Sequence, residues 1–229
     1  ENLNKNSKKI VFLSNAPRPS IKVVEFLKKM QMNDKFLSKV ITSGEAAMLA
    51  VNSNKFGKKF YHLGPVRDNS IFEKVQENKT TLEKCDFILC TGLFDEQEED
   101  LEYYEKLLKN YTNKKLMCTN PDLVVHRGNM EELCAGSIAK IFESIGGEVI
   151  YYGKPYKEIY RMCFNQSEKV LAIGDNLRTD IKGANNLNID SLFIYSGVHR
   201  NEFKTDKELL ELLKRYGVKT NFFQKELKW

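Results

Sequence analysis

The chain has 229 residues, 41% hydrophobic and 29% charged, enough to bury a core in one large domain or two small ones. Its 36 basic and 31 acidic residues leave a net charge of +5, which favours anionic ligands but is too small and too dispersed for nucleic-acid binding. No apolar run approaches the roughly 20 residues of a membrane span, no secretory signal opens the sequence, and the five cysteines form no C-x-x-C pair that would indicate zinc or a disulfide framework, so the expected compartment is the cytoplasm.

In chain order, an apolar run over 9–13 ends in Ser14-Asn15-Ala16-Pro17. Ile21, Val24, Leu27 and Met30 then recur at helical spacing. A strand is predicted over 40–42, with a helix opening at Ser43 or Gly44 and carrying Ala46, Ala47, Leu49 and Ala50. Strands over 60–63 and 87–89 follow. Leu101, Tyr104, Leu108 and Tyr111 predict a helix after the acidic run 95–100, which reads as a solvated helix start favoured by the macrodipole.

A strand over 116–118 leads into the turn signal Asn120-Pro121-Asp122. The helix marked by Cys134, Ile138, Ile141, Phe142 and Ile145 stops at Gly146-Gly147. A strand over 149–151 precedes Gly153-Lys154-Pro155, where Pro155 is expected to open a helix with Ile159 and Met162. A buried strand over 170–173 ends at Gly174-Asp175, and Leu177, Ile181, Ala184 and Leu187 line the helix after it. A strand over 191–195 and a helix with Leu209, Leu212, Leu213 and Tyr216 complete the chain. This alternation predicts an α/β protein with mostly parallel sheets.

Four loops after predicted strands carry polar groups: Ser14-Asn15, Thr42 to Glu45, Gly153 to Pro155, and Gly174 to Asp180. Ligands of open α/β sheets bind at the carboxyl ends of strands. Ser14 and Asn15 can donate to a phosphate oxygen, or serve as a cap and turn. Lys154 can fix a positive charge against a phosphate, or be a solvated turn lysine. Asp175 and Asp180 can share a magnesium ion, one directly and one through water or by orientation, or Asp175 or Asn176 can be the helix cap and Asp180 a first-turn acid. His62, His126 and His199 share no metal-ligand spacing.

Ser-Asn after a first strand, Gly-Lys-Pro late, then Gly-Asp-x-x-x-Thr-Asp, in this order, resembles the haloacid dehalogenase superfamily of phosphatases. The similarity extends to its class IIA, which has a large α/β cap. Thr42 to Ala46 is similar to the cap entry, Asn120-Pro121-Asp122 with Val125 to Gly128 to a late cap loop, and Ala135 to Ala139 continues the pattern. The resemblance implies a Rossmann-like core with a parallel sheet, residues 1–41 and 151–229, and an inserted cap, 42–150. It implies that Ser14 and Asn15 bind the phosphoryl group, that Lys154 stabilises its charge, and that Asp175 and Asp180 form the Mg2+ site. Asp122, His126 and Arg127 are then the cap candidates for substrate contact.

The implied activity is magnesium-dependent hydrolysis of a small phosphorylated metabolite through an aspartyl-phosphate. Neither nucleic acid nor membrane is an expected partner, and a homo-oligomer is left open. Members of the family carry their nucleophile in an Asp-x-Asp ahead of the Ser motif. Here no aspartate occurs before Asp34. The expectation is a truncated or processed form that lacks the nucleophile and the first core strand, and so exposes a sheet edge. The alternative is a phosphate-binding or regulatory protein without chemistry.

Overall fold

The computed structural model describes residues 2–97, 100–127, 130–165 and 167–228. It is an α/β protein whose contacts define two compact units, Ile10–Gly153, and Glu1–Lys9 with Lys154–Trp229. After one helical turn, α1 (Asn2–Lys5), come β1 (Phe12–Ser14), α2 (Ser20–Lys29), β2 (Val40–Thr42), α3 (Ser43–Asn52), β3 (Phe60–Leu63), β4 (Phe87–Cys90), α4 (Leu101–Leu108), β5 (Lys115–Cys118), β6 (Val124–Arg127), β7 (Met130–Leu133), α5 (Ala135–Ser144) and β8 (Glu148–Tyr151). Then follow α6 (Lys157–Tyr160), β9 (Leu171–Gly174), a π turn (Leu177–Ile181), α7 (Lys182–Leu187), β10 (Asp190–Ile194), α8 (Asp206–Tyr216) and β11 (Phe222–Gln224).

The unit Ile10–Gly153 is built on a four-stranded parallel sheet, ordered β3-β4-β5-β8. Central β4 is apolar and buried at every position, as a strand covered on both faces must be. Tyr104 and Leu108 of α4 and Ile138, Ala139 and Phe142 of α5 pack on Leu63, Ile88, Cys90, Leu116 and Cys118. Asp100 caps α4 by accepting the Tyr103 N–H, while Tyr111 lies beyond the helix and donates to Glu83. All five cysteines are free and buried.

In the same unit β1 and β2 form a separate parallel pair, with Ser14 opposite Thr42. The loop after β1 is tied to the start of α3: Gly44 N and Ser43 Oγ donate to Ala16 O, and Thr42 Oγ1 donates to Arg18 O. Arg18 pairs with buried Asp68 at 2.6 Å. Burial pushes the Asp68 carboxyl up, against the opposing pull of Arg18. These bonds all lie within the unit Ile10–Gly153. The β6–β7 hairpin, antiparallel, has no counterpart in the sequence reading.

The unit of Glu1–Lys9 and Lys154–Trp229 carries a three-stranded parallel sheet, β11-β10-β9. Phe193 of β10 packs against Leu177, Ile181, Leu209, Leu212, Leu213 and Val218. Truncating such a ring to Ala costs on the order of 3–5 kcal/mol.

Three expectations change here. The strand before Gly174 is not buried: Leu171 is 45% and Ile173 36% exposed, because β9 is the sheet edge and one of its faces is uncovered. The stripe from Leu177 begins as a π turn, since Asp180 N and Ile181 N both bond Asn176 O, and only then becomes α7. The helix near Pro155 starts at Lys157, with Tyr156 before it, and leaves Met162 in the next turn. Among the described residues no helix is long and apolar enough to cross a membrane.

Candidate phosphate and metal site

The unit containing Lys154 brings three of the expected residues together. Lys154 Nζ lies 2.6 Å from Asp180 Oδ1. Asp180 Oδ2 accepts the backbone N–H groups of Asp175 and Asn176 at 3.2 and 3.0 Å. Capping falls to Asn176, whose Oδ1 accepts the Arg178 N–H at 2.9 Å, so Asp175 is released from that task. Both oxygens of Asp180 are therefore engaged in holding the loop and the lysine.

Asp175 is differently placed. Its Oδ2 accepts the Val198 N–H at 3.0 Å, and its Oδ1 has no protein partner among the described residues. Two glycines make room for these carboxylates. A Cβ on Gly174 would lie 2.2 Å from Asp180 Cγ, and one on Gly197 2.0 Å from Asp175 Oδ2. Any side chain at either position would displace the acid it faces.

The donor set fits magnesium. The cation takes hard oxygen ligands, and it commonly uses one or two carboxylates while water and phosphate complete its octahedron. Asp175 Oδ1 offers such a ligand, with Asp180 orienting the loop. Among the described residues no cluster of three or more His, Cys, Asp or Glu gathers, so protein ligands would be few. Lys154, Asp175 and Asp180 sum to one negative charge. A divalent cation reverses that sign and prepares the site for a phosphate.

Ser14 and Asn15 belong to the other unit. Ser14 does not cap α2, whose preceding residue is Pro19 without a side-chain bond. Its Oγ accepts the Ala16 N–H at 3.1 Å, which makes a local turn and leaves the hydroxyl proton available to a ligand. Asn15 is buried, and its Oδ1 lies 2.6 Å from where a Cβ on Gly153 would sit, one residue before Lys154. Thr42 to Glu45, the remaining polar loop, is used for structure: Thr42 Oγ1 caps α3 by accepting the Glu45 N–H.

Of the substrate candidates, Asp122 lies before β6, with its N–H on Asn120 Oδ1 and its carbonyl accepting the Gly136 N–H. His126 and Arg127 lie on β6, and their side chains fall outside the described residues.

The loop after β10 is a part of this site that sequence reasoning missed. In the parallel register Phe193 lies opposite Gly174, so the segment Gly197-Val198-His199 follows β10 beside the Asp175 loop. The rule that points to strand ends should have flagged it. His199 Nε2 accepts the Leu177 N–H at 3.1 Å and its Nδ1 contacts Glu202 at 2.5 Å. Burial raises the Glu202 carboxyl, but the bond and charge of His199, the Tyr216 bond and the Arg178 charge together hold it below its usual range. Burial, then the charge of Asp180, pushes the Tyr160 phenol up.

Two family models match. One described as haloacid dehalogenase-like hydrolase spans residues 1–77, and one described as HAD-hydrolase-like spans 151–212. The chain is 33% identical over 88 residues to ribonucleotide monophosphatase NagD of Escherichia coli (strain K12), a match covering 37% of this chain and 34% of that protein. It therefore spans about a third of the length of the first curated relatives it matches. It is 25% identical over 176 residues to 5'-nucleotidase YutF of Bacillus subtilis (strain 168), covering 73% of this chain and 66% of that protein. Among solved structures, a haloacid dehalogenase-like hydrolase from Brucella suis 1330 superposes with a TM-score of 0.85 at 25% identity, covering 99% of this chain and 86% of that chain.

Proposed function

This chain belongs to the haloacid dehalogenase superfamily of hydrolases, and from that premise we propose that it acts in magnesium-dependent hydrolysis of a small phosphoric monoester. The observation that carries the reading is the Lys154–Asp180–Asp175 arrangement. One carboxylate anchors the lysine and the loop, and the other keeps an oxygen for a cation. Phosphoryl transfer asks a protein chiefly for positioning and charge stabilisation.

In this reading Lys154 meets the equatorial phosphoryl oxygens, and Asp180 fixes its direction. Asp175 supplies the carboxylate ligand, and a bound Mg2+ would neutralise phosphate charge. Ser14 and Asn15 are the proposed donors to the phosphoryl group, and Asp122, His126 and Arg127 of the proposed cap, 42–150, are the proposed substrate contacts. The aspartyl-phosphate route needs a carboxylate that attacks phosphorus as the ester P–O bond breaks. Asp34 is unsuited to that role, being paired on the surface with Lys28 at 2.9 Å.

The test is hydrolysis of an aryl phosphate, with and without Mg2+, by this chain and by the chain joined to any residues encoded upstream of Glu1. Magnesium-dependent turnover that Asp175→Asn abolishes is expected from a form carrying an Asp-x-Asp. No turnover by such a form refutes the enzyme reading. The alternative reading is phosphate binding without turnover. That reading expects Mg2+-dependent phosphate binding in every form and hydrolysis in none.

A further inference from the structure

The loop after β10 grips the Asp175 loop at two consecutive residues. Val198 N–H holds Asp175 Oδ2 at 3.0 Å, and His199 Nε2 takes the Leu177 N–H at 3.1 Å. His199 is 1% exposed. A ring nitrogen that accepts carries no proton, so the partners assign the proton to Nδ1, which donates to Glu202 Oε1 at 2.5 Å. Glu202 Oε2 accepts the Tyr216 hydroxyl at 3.1 Å. Tyr216 Oη in turn accepts from Arg178 Nη2 at 3.2 Å, and the guanidinium stands 5.1 Å from the centre of the Tyr216 ring.

These bonds form a closed circuit. It leaves the π turn at the Leu177 amide, passes through His199, Glu202 and Tyr216, and returns to the same turn at Arg178. Asn176 lies just before this anchored pair, and Asp175 just before Asn176. Rotation of the turn would swing Asp175 away from Val198. The circuit opposes that rotation from α8, the core helix of the unit.

We propose that His199 is a positioning residue for the magnesium ligand Asp175, acting through the Leu177 amide and held in its tautomer by Glu202. The proposal rests on the reading of Asp175 as a magnesium ligand. Partners that orient a metal ligand typically contribute a factor of about 10–100 in affinity. A ring that only filled space between Phe193 and Tyr216, 6.2 and 5.0 Å away, would affect stability alone.

Calorimetric titration of Mg2+ into the chain, paired with thermal melting, separates these roles. His199→Leu and Glu202→Ala are expected to weaken Mg2+ binding by about tenfold or more. His199→Gln, whose side-chain oxygen can accept the Leu177 N–H, should stay within about threefold of wild type. Leu213→Ala, in the same core, should lower the melting temperature and leave Mg2+ affinity unchanged. Wild-type affinity in folded His199→Leu or Glu202→Ala overturns the proposal, and so does equal weakening in Leu213→Ala. If His199→Leu does not fold, Glu202→Ala decides, since Glu202 is only partly buried. A wild-type chain that binds no Mg2+ overturns the magnesium reading as well; unaltered variants beside a binding wild type overturn this proposal alone.

Discussion

The Lys154 ammonium and the Asp180 carboxylate form an ion pair at 2.6 Å with side chains only 16% and 12% exposed. Asp180 simultaneously holds two amides of the loop that carries Asp175. The cation proposed to meet phosphate and the loop proposed to hold magnesium are thus parts of one bonded assembly. Lys154→Met should destabilise its unit by on the order of 3 kcal/mol, because it strands a buried carboxylate. Lys154→Met with Asp180→Asn should cost less than the two single changes added together. Urea denaturation of the four proteins gives the coupling; additive losses would show that the two groups are independent.

Gly197→Ala should disable the metal loop without replacing a ligand. Its methyl group would lie 2.0 Å from Asp175 Oδ2, so the carboxylate must move off the Val198 amide. A loss of about tenfold or more in Mg2+ affinity is expected. The measurement is the Mg2+-induced rise in melting temperature, compared with wild type at the same concentrations. An unchanged rise would mean that Asp175 does not depend on this contact.

His62 predicts a specific pH dependence. It is buried beside Thr91, 2.9 Å away, and burial first, then the Lys79 charge, lowers its pKa from 6.5 to about 3. The folded state keeps His62 neutral where the unfolded chain takes a proton. Its contribution is fully present above about pH 6.5 and is lost as pH falls toward 3, at up to roughly 1.4 kcal/mol per pH unit. Stability measured between pH 7 and 4 should therefore fall less steeply in His62→Gln than in wild type. Parallel slopes would remove His62 as the cause.

The uncovered face of β9 should make the chain associate. Leu171 and Ile173 point to one side of the strand, and Ile173, Leu192 and Phe222 lie in one cross-strand row. Phe222 is 57% exposed. Light scattering is expected to show association that Leu171→Lys reduces. A monodisperse monomer at high concentration would contradict this.

The α/β alternation and the site loop could be read from the sequence because both depend on local signals. An apolar run ending in Gly174-Asp175 and the stripe Leu177, Ile181, Ala184 need only period and spacing. Their assembly was not legible. Which of Asp175 and Asn176 would cap the turn is settled by bonds across the loop, and sequence spacing allows both. His199 reaches Leu177 across 22 positions, a contact fixed only by the β9–β10 register. The exposed side of β9 depends on what covers a sheet, and an apolar run reads the same whether its faces are covered or bare.

The central claim is that Asp175 carries a cation which makes this site bind phosphate. The most direct measurement is calorimetric titration of inorganic phosphate into the wild-type chain and into Asp175→Asn, each in Mg2+ and in a chelator. Phosphate binding that requires Mg2+ in wild type and disappears in Asp175→Asn is the expected result. Equal binding in the chelator, or unchanged Mg2+-dependent binding in Asp175→Asn, would contradict it.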